Sequence, residues 1–383
     1  MFSSILAREA GALDSYELEN WVRLKRVNGW RARKRYNTVK EPQCLAVDSS
    51  DGRFLLLGFR QEFSIIDATS NPRDVSMSQI CQQHLSPRTC IVLDALWYPG
   101  DFALFLLGVS RQPGEGDVQI WDTDRLQCES RIATGEVSAM SMSMCSSSHE
   151  LVAIGSAGFG NSIGLLDLNA GAVAQKLDGQ NGPVKSLAFS PEDEHLLAAG
   201  GADGSVQLWD VRKAGRAACV QTFDSSKRED TAVIGDVVTG YGSKRRSWKR
   251  KRKPYRQPSA HADGAVSKLL FAPGGRYLLS VGVHAMYTWD ILSGLCVSHS
   301  TFPVRNRHFA LNAAVSMDQD LIYVSGGMDV GIFELFESLP TRYFERQHFA
   351  SIALLESSPI TEELYSVDRE GELIGWTSNL EGS

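Results

Sequence analysis

The chain has 383 residues, a hydrophobic content of 43% and a formal net charge of −6 at pH 7. These values are ordinary for a globular protein, and the negative charge excludes a chain that binds polyanions over its whole surface. All-β closed folds are the class in which a single domain most readily reaches this length.

Neither the cysteines nor the apolar runs indicate a secreted or membrane protein. The seven cysteines include no C-x-x-C pair, so we expect reduced thiols and neither a disulfide framework nor a metal site. The apolar N-terminus is interrupted at Arg8, too early for a signal peptide, and the run Phe102–Val109 is too short to cross a bilayer. We therefore expect an intracellular protein with no membrane partner.

The first predicted element is an N-terminal segment, residues 1–34. Its apolar residues recur at the i, i+3, i+4 spacing of one helix face: Phe2, Ile5 and Leu6, then Leu18, Trp21 and Val22. This spacing predicts a helix-loop-helix. Because short helices need a surface to bury against, the segment packs either on the rest of the chain or in a groove of another protein.

A short phrase repeats along the rest of the chain, most clearly as Ser205–Asp210. The last position of each copy is Asp67, Asp122, Asp167, Asp210, Asp290, Glu334 or Thr377. Most steps are 43 to 45 residues, and a period of about 40 to 45 with a Trp-Asp ending is typical of the four-stranded propeller blade. Seven copies predict an all-β fold, a seven-bladed WD-repeat β-propeller over residues 35–383.

Two details of the repeat predict how the ring is completed. Few residues follow Trp376, so the last blade must take its fourth strand from the N-terminal side, and Arg35–Val39 is the candidate. In WD repeats a buried His–Ser/Thr–Asp–Trp set often braces a blade. For the last blade the sequence suggests this set: His348, Ser366, Glu370 and Trp376.

The step of 80 residues marks an insertion, placed at 213–260 and expected to be partly disordered. Nine of the thirteen residues in Lys244–Arg256 are basic and none is acidic. Its densest part is Lys249, Arg250, Lys251, Arg252 and Lys253. Three interpretations stay open: a solvated loop, a nuclear-import signal, or a nucleic-acid contact in which Trp248 and Tyr255 stack on bases.

No pattern of residues predicts catalysis. Gly160–Gly164 matches G-x-S-x-G, but the predicted strand that follows excludes the strand–turn–helix that a nucleophile elbow needs. No histidine pair has the spacing of a metalloenzyme motif. We expect a protein that is not an enzyme and carries no cofactor.

Several phrases resemble the Cockayne syndrome A protein family over nearly the full length of the chain. They are Met1–Arg8, Leu96–Pro99, Gln119–Thr123, Leu208–Ala214, Ala260–His261 and Glu363–Ser366. Proteins of this family are nuclear, non-catalytic substrate receptors of cullin-4 ubiquitin ligases in transcription-coupled nucleotide excision repair. The resemblance therefore implies two protein partners: the ligase's triple-propeller adaptor and a client such as a repair-coupling ATPase.

The family docks to the adaptor through an N-terminal helix-loop-helix and one propeller face. The resemblance assigns this role to Phe2, Ile5, Leu6, Leu18, Trp21, Trp209, Asp210 and Arg212.

A client surface is predicted at the tight turns between second and third strands, where interface hot spots favour aromatic and arginine side chains. The candidates are Phe59, Arg60, Phe159 and Arg369. Phe59 and Phe159 could equally tuck between blades. A second function stays open, a nuclear WD-repeat scaffold for RNA processing or chromatin complexes that works through the basic insertion.

Overall fold

We analysed a computed structural model of the chain. The residues that it describes are 30–38, 40–69, 78–85, 90–99, 103–112, 114–135, 137–142, 151–156, 162–180, 182–225, 260–261, 264–272, 274–301, 311–316, 321–344 and 346–378.

Within these ranges the chain forms β-strands and one short 3₁₀ helix, Gly215–Ala218. The strands up to the 3₁₀ helix are β1 (Trp30–Asn37), β2 (Cys44–Val47), β3 (Phe54–Gly58), β4 (Glu62–Asp67), β5 (Ser78–His84), β6 (Ile91–Trp97), β7 (Leu104–Gln112), β8 (Glu115–Asp122), β9 (Gln127–Ala133), β10 (Ala139–Met142), β11 (Leu151–Gly155), β12 (Ser162–Asp167), β13 (Ala172–Asp178), β14 (Val184–Phe189), β15 (Leu196–Gly201) and β16 (Val206–Asp210). The later strands are β17 (Cys219–Thr222), β18 (Val266–Phe271), β19 (Tyr277–Gly282), β20 (Ala285–Asp290), β21 (Cys296–Thr301), β22 (Ala313–Val315), β23 (Leu321–Ser325), β24 (Val330–Glu334), β25 (Arg342–Tyr343), β26 (Ile352–Ser357), β27 (Glu363–Asp368) and β28 (Glu372–Ser378).

These strands form seven antiparallel four-stranded sheets, the blades of a β-propeller. Blade one is β2–β5, and five further blades follow in chain order to β25. The first strand of each blade contacts the first strand of the next, and β26 of blade seven contacts β2 of blade one, so the ring is closed. The predicted seven-bladed propeller is confirmed. In the described ranges no helix has the length and hydropathy of a transmembrane segment.

The core lies between neighbouring blades, where apolar side chains of adjacent sheets interdigitate. Trp209 of blade four packs with Leu165 of blade three, and Trp289 of blade five lies 5.2 Å from the ring of Phe223 of blade four. Tight turns keep the sheets close. Gly204 adopts a φ of +79°, and a Cβ atom there would lie 2.0 Å from the carbonyl oxygen of His261, so only glycine fits this turn.

The predicted repeat positions coincide with the ends of the third strands. Six of the seven strands end on the predicted residue: Asp67, Asp122, Asp167, Asp210, Asp290 and Glu334. The seventh, β28, ends at Ser378, one residue after the predicted Thr377. The last residue of each repeated phrase therefore marks the end of the third strand of its blade.

The strand that closes the ring begins earlier than predicted. β1 pairs antiparallel with β28 in the order β1-β28-β27-β26, as expected, but it spans Trp30–Asn37 and not Arg35–Val39. Trp30 extends the strand because its ring packs 5.2 Å from Tyr323 and 5.3 Å from Phe344 of blade six. The boundary between the N-terminal segment and the propeller therefore falls before residue 30 and not after residue 34.

The insertion also begins later than predicted. Residues 213–225 belong to blade four, because they include the 3₁₀ helix and β17, and Phe223 is fully buried. Lys249, Arg250, Lys251, Arg252 and Lys253 lie outside the described residues, so the interpretations of the basic run stay predictions.

Two blades contain a complete buried hydrogen-bonded set of His, Ser and Trp. In blade five the hydroxyl of Ser280 lies 2.8 Å from His261 Nε2 and accepts a bond of 2.8 Å from Trp289 Nε1. In blade seven Ser366 stands between His348 and Trp376 with distances of 2.7 Å to each.

The acid of the blade-seven set is Asp368 and not the predicted Glu370. Its carboxylate lies 3.2 Å from His348 Nδ1. Burial lowers the pKa of His261 to about 4 and moves the pKa of His348 in the same direction. Both imidazoles are therefore neutral at pH 7, as expected for structural groups in the core.

Candidate protein-interaction site

A propeller offers two faces, and chain geometry decides which residues share one. Third strands end on one side of the ring, which we call the Arg212 face. The turns between second and third strands lie on the opposite side, which we call the Arg60 face. Because every blade has the same strand directions, loops at equivalent positions in different blades lie on the same face.

Arg212 stands on the first of these faces, two residues beyond the third strand of blade four. Asp210 accepts bonds from Arg212 Nε at 2.9 Å and from Arg212 Nη2 at 3.0 Å. The Asp210 side chain is 9% exposed, whereas that of Arg212 is 63% exposed. Hydrogen bonding to Arg212 holds the pKa of Asp210 well below its usual range. The result is a fixed, accessible cation of the kind that anchors protein interfaces.

Trp209 supports this arrangement from inside the core. It is fully buried, so it can serve an adaptor site only by supporting the exposed residues beside it and not as a direct contact. Its Nε1 has no hydrogen-bond partner, and neither does the buried Oε1 of Gln180. Ala199 lies opposite Gln207 in the sheet, the position that corresponds to Ser280 opposite Tyr287 in blade five. Blade four therefore lacks the serine that completes the set in blade five.

The predicted helix anchors Phe2, Ile5, Leu6, Leu18 and Trp21 lie outside the described residues. The structure does show where the segment joins the propeller. Trp30 pairs with Ser378, the last residue of the third strand of blade seven. The N-terminal segment therefore joins the propeller on the Arg212 face.

The predicted client residues separate into two groups. Arg60 and Arg369 are exposed on the Arg60 face in adjacent blades, and Arg369 lies 3.6 Å from Glu41. Phe59 is 2% exposed and packs in a core cluster with Leu57, so its prediction as a client contact is wrong and the alternative of core packing is confirmed. Phe159 lies outside the described residues.

The central channel is a cavity of about 580 Å³ lined by first strands. Lys268 Nζ lies 3.1 Å from Glu356 Oε2, and Asp94 accepts bonds from the backbone of Met140 at 2.6 Å and of Ala95 at 2.9 Å. Burial raises the pKa of Asp94 to about 6. Lys268 and Glu356 pair with each other from blades five and seven, and Asp94 is satisfied by backbone amides, which is typical of a structural role.

An apolar surface that the repeat pattern did not predict lies on the Arg212 face. Leu292 follows the third strand of blade five, and Phe336 and Leu339 follow that of blade six. All three are exposed although they are large and hydrophobic. A signal was present, because Leu292, Phe336 and Leu339 are large apolar residues that come within five residues of the closing position of their repeats.

Similarity to known proteins agrees with the architecture. Residues 171–210, which run from the fourth strand of blade three to the third strand of blade four, match the family described as WD domain, G-beta repeat. The chain is a WD-repeat β-propeller protein, and propellers of this class mediate protein–protein interaction.

Named relatives differ in how much of the chain they cover. The chain is 25% identical to the WD repeat-containing protein ATCSA-1 of Arabidopsis thaliana over 439 aligned residues, 98% of this chain and 95% of that protein. It is 27% identical over 124 residues to Radiation-sensitive protein 28 of Saccharomyces cerevisiae, 31% of this chain and 24% of the yeast protein. A match of 38 residues at 45% identity to Protein transport protein SEC31 of Meyerozyma guilliermondii covers 10% of this chain and 3% of that protein.

Proposed function

We propose that this protein is a non-catalytic substrate receptor of a cullin-4 ubiquitin ligase, acting in the nucleus in transcription-coupled nucleotide excision repair. The observation that carries the proposal is the exposed Arg212, fixed by Asp210 on the face where the N-terminal segment joins the ring. The near-full-length similarity to ATCSA-1, a Cockayne syndrome A homologue, supports the same function.

In this proposal each face of the propeller binds a different partner. The triple-propeller adaptor binds Arg212 and the N-terminal segment on the Arg212 face. The client binds Arg60 and Arg369 on the Arg60 face. The ring between them is a rigid spacer, because each blade is packed against two neighbours. Such a receptor needs no catalytic group of its own, since the ligase's other subunits supply the chemistry.

Replacing Arg212 with Ala tests the proposal. The side chain is largely exposed and contributes little to the core, so the propeller should stay folded. Loss of a hot-spot arginine should weaken adaptor binding by about tenfold or more, measured by titration calorimetry. Lys213→Ala is the matched control, because Lys213 is also exposed, at 56%, and its Nζ lies 3.5 Å from the same Asp210 carboxylate.

The control should bind the adaptor nearly as well as the unaltered protein. Deletion of residues 1–24 should impair the same partner. Full adaptor binding by both Arg212→Ala and the deletion, on protein shown to be folded, would refute the receptor function.

A further inference from the structure

The Arg212 face has an apolar surface beside the candidate adaptor site. Leu292 is 83% exposed, Leu339 is 75% exposed and Phe336 is 52% exposed. Side chains of this size are normally scattered singly over a protein surface, whereas a contiguous group marks a place where another element binds. Exposed Ile80 and Val220 lie on β5 and β17, the fourth strands of their blades, and not in these loops.

Leu292, Phe336 and Leu339 lie in the loops after the third strands of adjacent blades five and six, and we call these three residues the apolar patch. The ring of Phe336 lies 5.0 Å from that of Tyr277 in an edge-to-face arrangement. The backbone N–H of Ile291, next to Leu292, donates to the carbonyl of Arg276 at 3.0 Å. Ser300 of blade five donates to the carbonyl of Glu337 in blade six at 3.4 Å. The patch is therefore held in place by both blades.

The position of the N-terminal segment indicates what covers the patch. β1 starts at Trp30 on this face, and the Trp30 ring packs against Tyr323 and Phe344 of blade six, the blade that carries Phe336 and Leu339. Residues 27–29 can span up to about 10 Å, close to the spacing of packed sheets. Residues 16–26 are thus tethered to the face that carries the patch, next to the blade that provides Phe336 and Leu339.

The chemistry of this part of the chain complements the patch. Leu18, Trp21 and Val22 fall on one face at helical spacing. Basic residues Arg23, Lys25 and Arg26 follow them, and the exposed Glu337 borders the patch. We propose that residues 16–26 dock as an amphipathic helix on the apolar patch of the same molecule when no adaptor is bound.

This docking has a consequence that rests on the proposed function. The same Leu18 and Trp21 are the proposed anchors for the adaptor, so the docked segment and the adaptor exclude each other. The free receptor is then partly self-occluded, and its apparent affinity for the adaptor is reduced by the fraction of molecules in the docked state.

Photo-crosslinking in the full chain tests the docking directly. Leu339 is replaced by p-benzoylphenylalanine, and equal amounts of unlabelled and ¹⁵N-labelled protein are mixed before irradiation. Peptides from residues 16–26 should crosslink to position 339 within one molecule. The same probe at Phe349, which is 81% exposed and lies before the first strand of blade seven on the opposite Arg60 face, should not capture them. Absence of this crosslink, or crosslinks only between labelled and unlabelled copies, would overturn the proposal.

A second measurement distinguishes self-docking from a direct adaptor contact by the direction in which adaptor affinity changes. Leu339→Glu should speed amide hydrogen exchange in residues 16–26 and raise adaptor affinity several-fold, whereas Phe349→Glu on the opposite face should change neither. A fall in adaptor affinity with unchanged exchange would mean that the patch contacts the adaptor, and the proposal would be wrong. If the unaltered protein did not bind the adaptor at all, the proposed function would fail, and the crosslink would still decide the docking.

Discussion

Blade four lacks the serine that completes the buried hydrogen-bonded set of blade five. Ser280 bridges His261 and Trp289, whereas Ala199 occupies the corresponding place between Gln180 and Trp209. Gln180 does donate to Ser205, at 3.0 Å, but its Oε1 and the Nε1 of Trp209 stay without partners. Buried polar atoms without partners cost about 1 to 3 kcal/mol each. A side chain that pairs with them should therefore raise the free energy of unfolding.

We predict that Ala199→Ser stabilises the protein by about 1 to 2 kcal/mol, because the new hydroxyl can accept from Trp209 and donate to Gln180. Urea unfolding at pH 7 measures this change. Ser280→Ala is the reciprocal control and should cost about 1 to 3 kcal/mol, since it leaves Trp289 unpaired. A less stable Ala199→Ser would show that the hydroxyl does not reach its partners.

The neutral His261 predicts a dependence of stability on pH. Its pKa is about 4 in the folded protein against the ordinary histidine value of 6.5, so between these values the unfolded state binds the extra proton. The stabilisation is complete above pH 6.5 and is lost as the pH falls towards 4, by roughly 3 kcal/mol.

A comparison with His261→Asn isolates this effect, because the raised pKa of Asp94 acts in the opposite direction over part of the same range. The difference in unfolding free energy between the two proteins should shrink between pH 7 and pH 4.5. A constant difference would show that His261 does not titrate on unfolding.

At the scale of elements, β1 is the strand whose removal should matter most. Lys34 is buried and lies 2.6 Å from Glu363, and Trp30 packs against blade six, so β1 ties the last blade to its neighbour. Deleting residues 1–37 should lower the free energy of unfolding by more than about 3 kcal/mol, the scale of one buried aromatic residue. It should also expose the edge of β28 and promote aggregation.

Deleting only residues 1–29 is the control, because it leaves β1 intact. That protein should elute as the full chain does and lose much less stability than the 1–37 deletion, as followed by size-exclusion chromatography and thermal scanning. Equal damage from both deletions would contradict the role given to β1.

The sequence predicted the repeats well because each third strand ends at the same structural place. Asp203-Gly204 and the Trp-Asp phrase are local signals, set by turn geometry and by packing between blades. The start of β1 was harder to predict. Trp30–Asn37 is rich in arginine and lysine and has little strand character, and its pairing with a strand more than 330 residues away decides its length.

Exposure was the property that the sequence could not resolve. Phe59 and Arg60 are adjacent, yet Phe59 turns into the core and Arg60 faces solvent. Phe336 and Leu339 show the reverse, since their composition indicates burial and the structure exposes them. Which side chain faces inward at a loop depends on contacts with neighbouring blades, and these are not encoded in local periodicity.

For the whole molecule, the two faces should be separable by mutation. Arg60→Ala combined with Arg369→Ala should weaken client capture about tenfold and leave adaptor binding unchanged, whereas Arg212→Ala should do the opposite. The folded state should change by no more than about 0.5 kcal/mol, because exposed ion pairs such as Arg369 with Glu41 contribute little. Quantitative pull-downs of both partners from the same samples measure this, and a joint loss would contradict two independent surfaces.

Closure of the ring by its two most distant strands also governs how the protein is made. β1 leaves the ribosome first but has no partner until β28, more than 330 residues later, has been translated. A nascent chain therefore carries an unsatisfied strand edge while the other six blades are made. A premature stop codon at Glu372 would remove β28 and leave two strands of blade seven, β1 and β27, without their neighbour. Loss of this single strand should therefore prevent closure of the ring and be as damaging as loss of a whole blade.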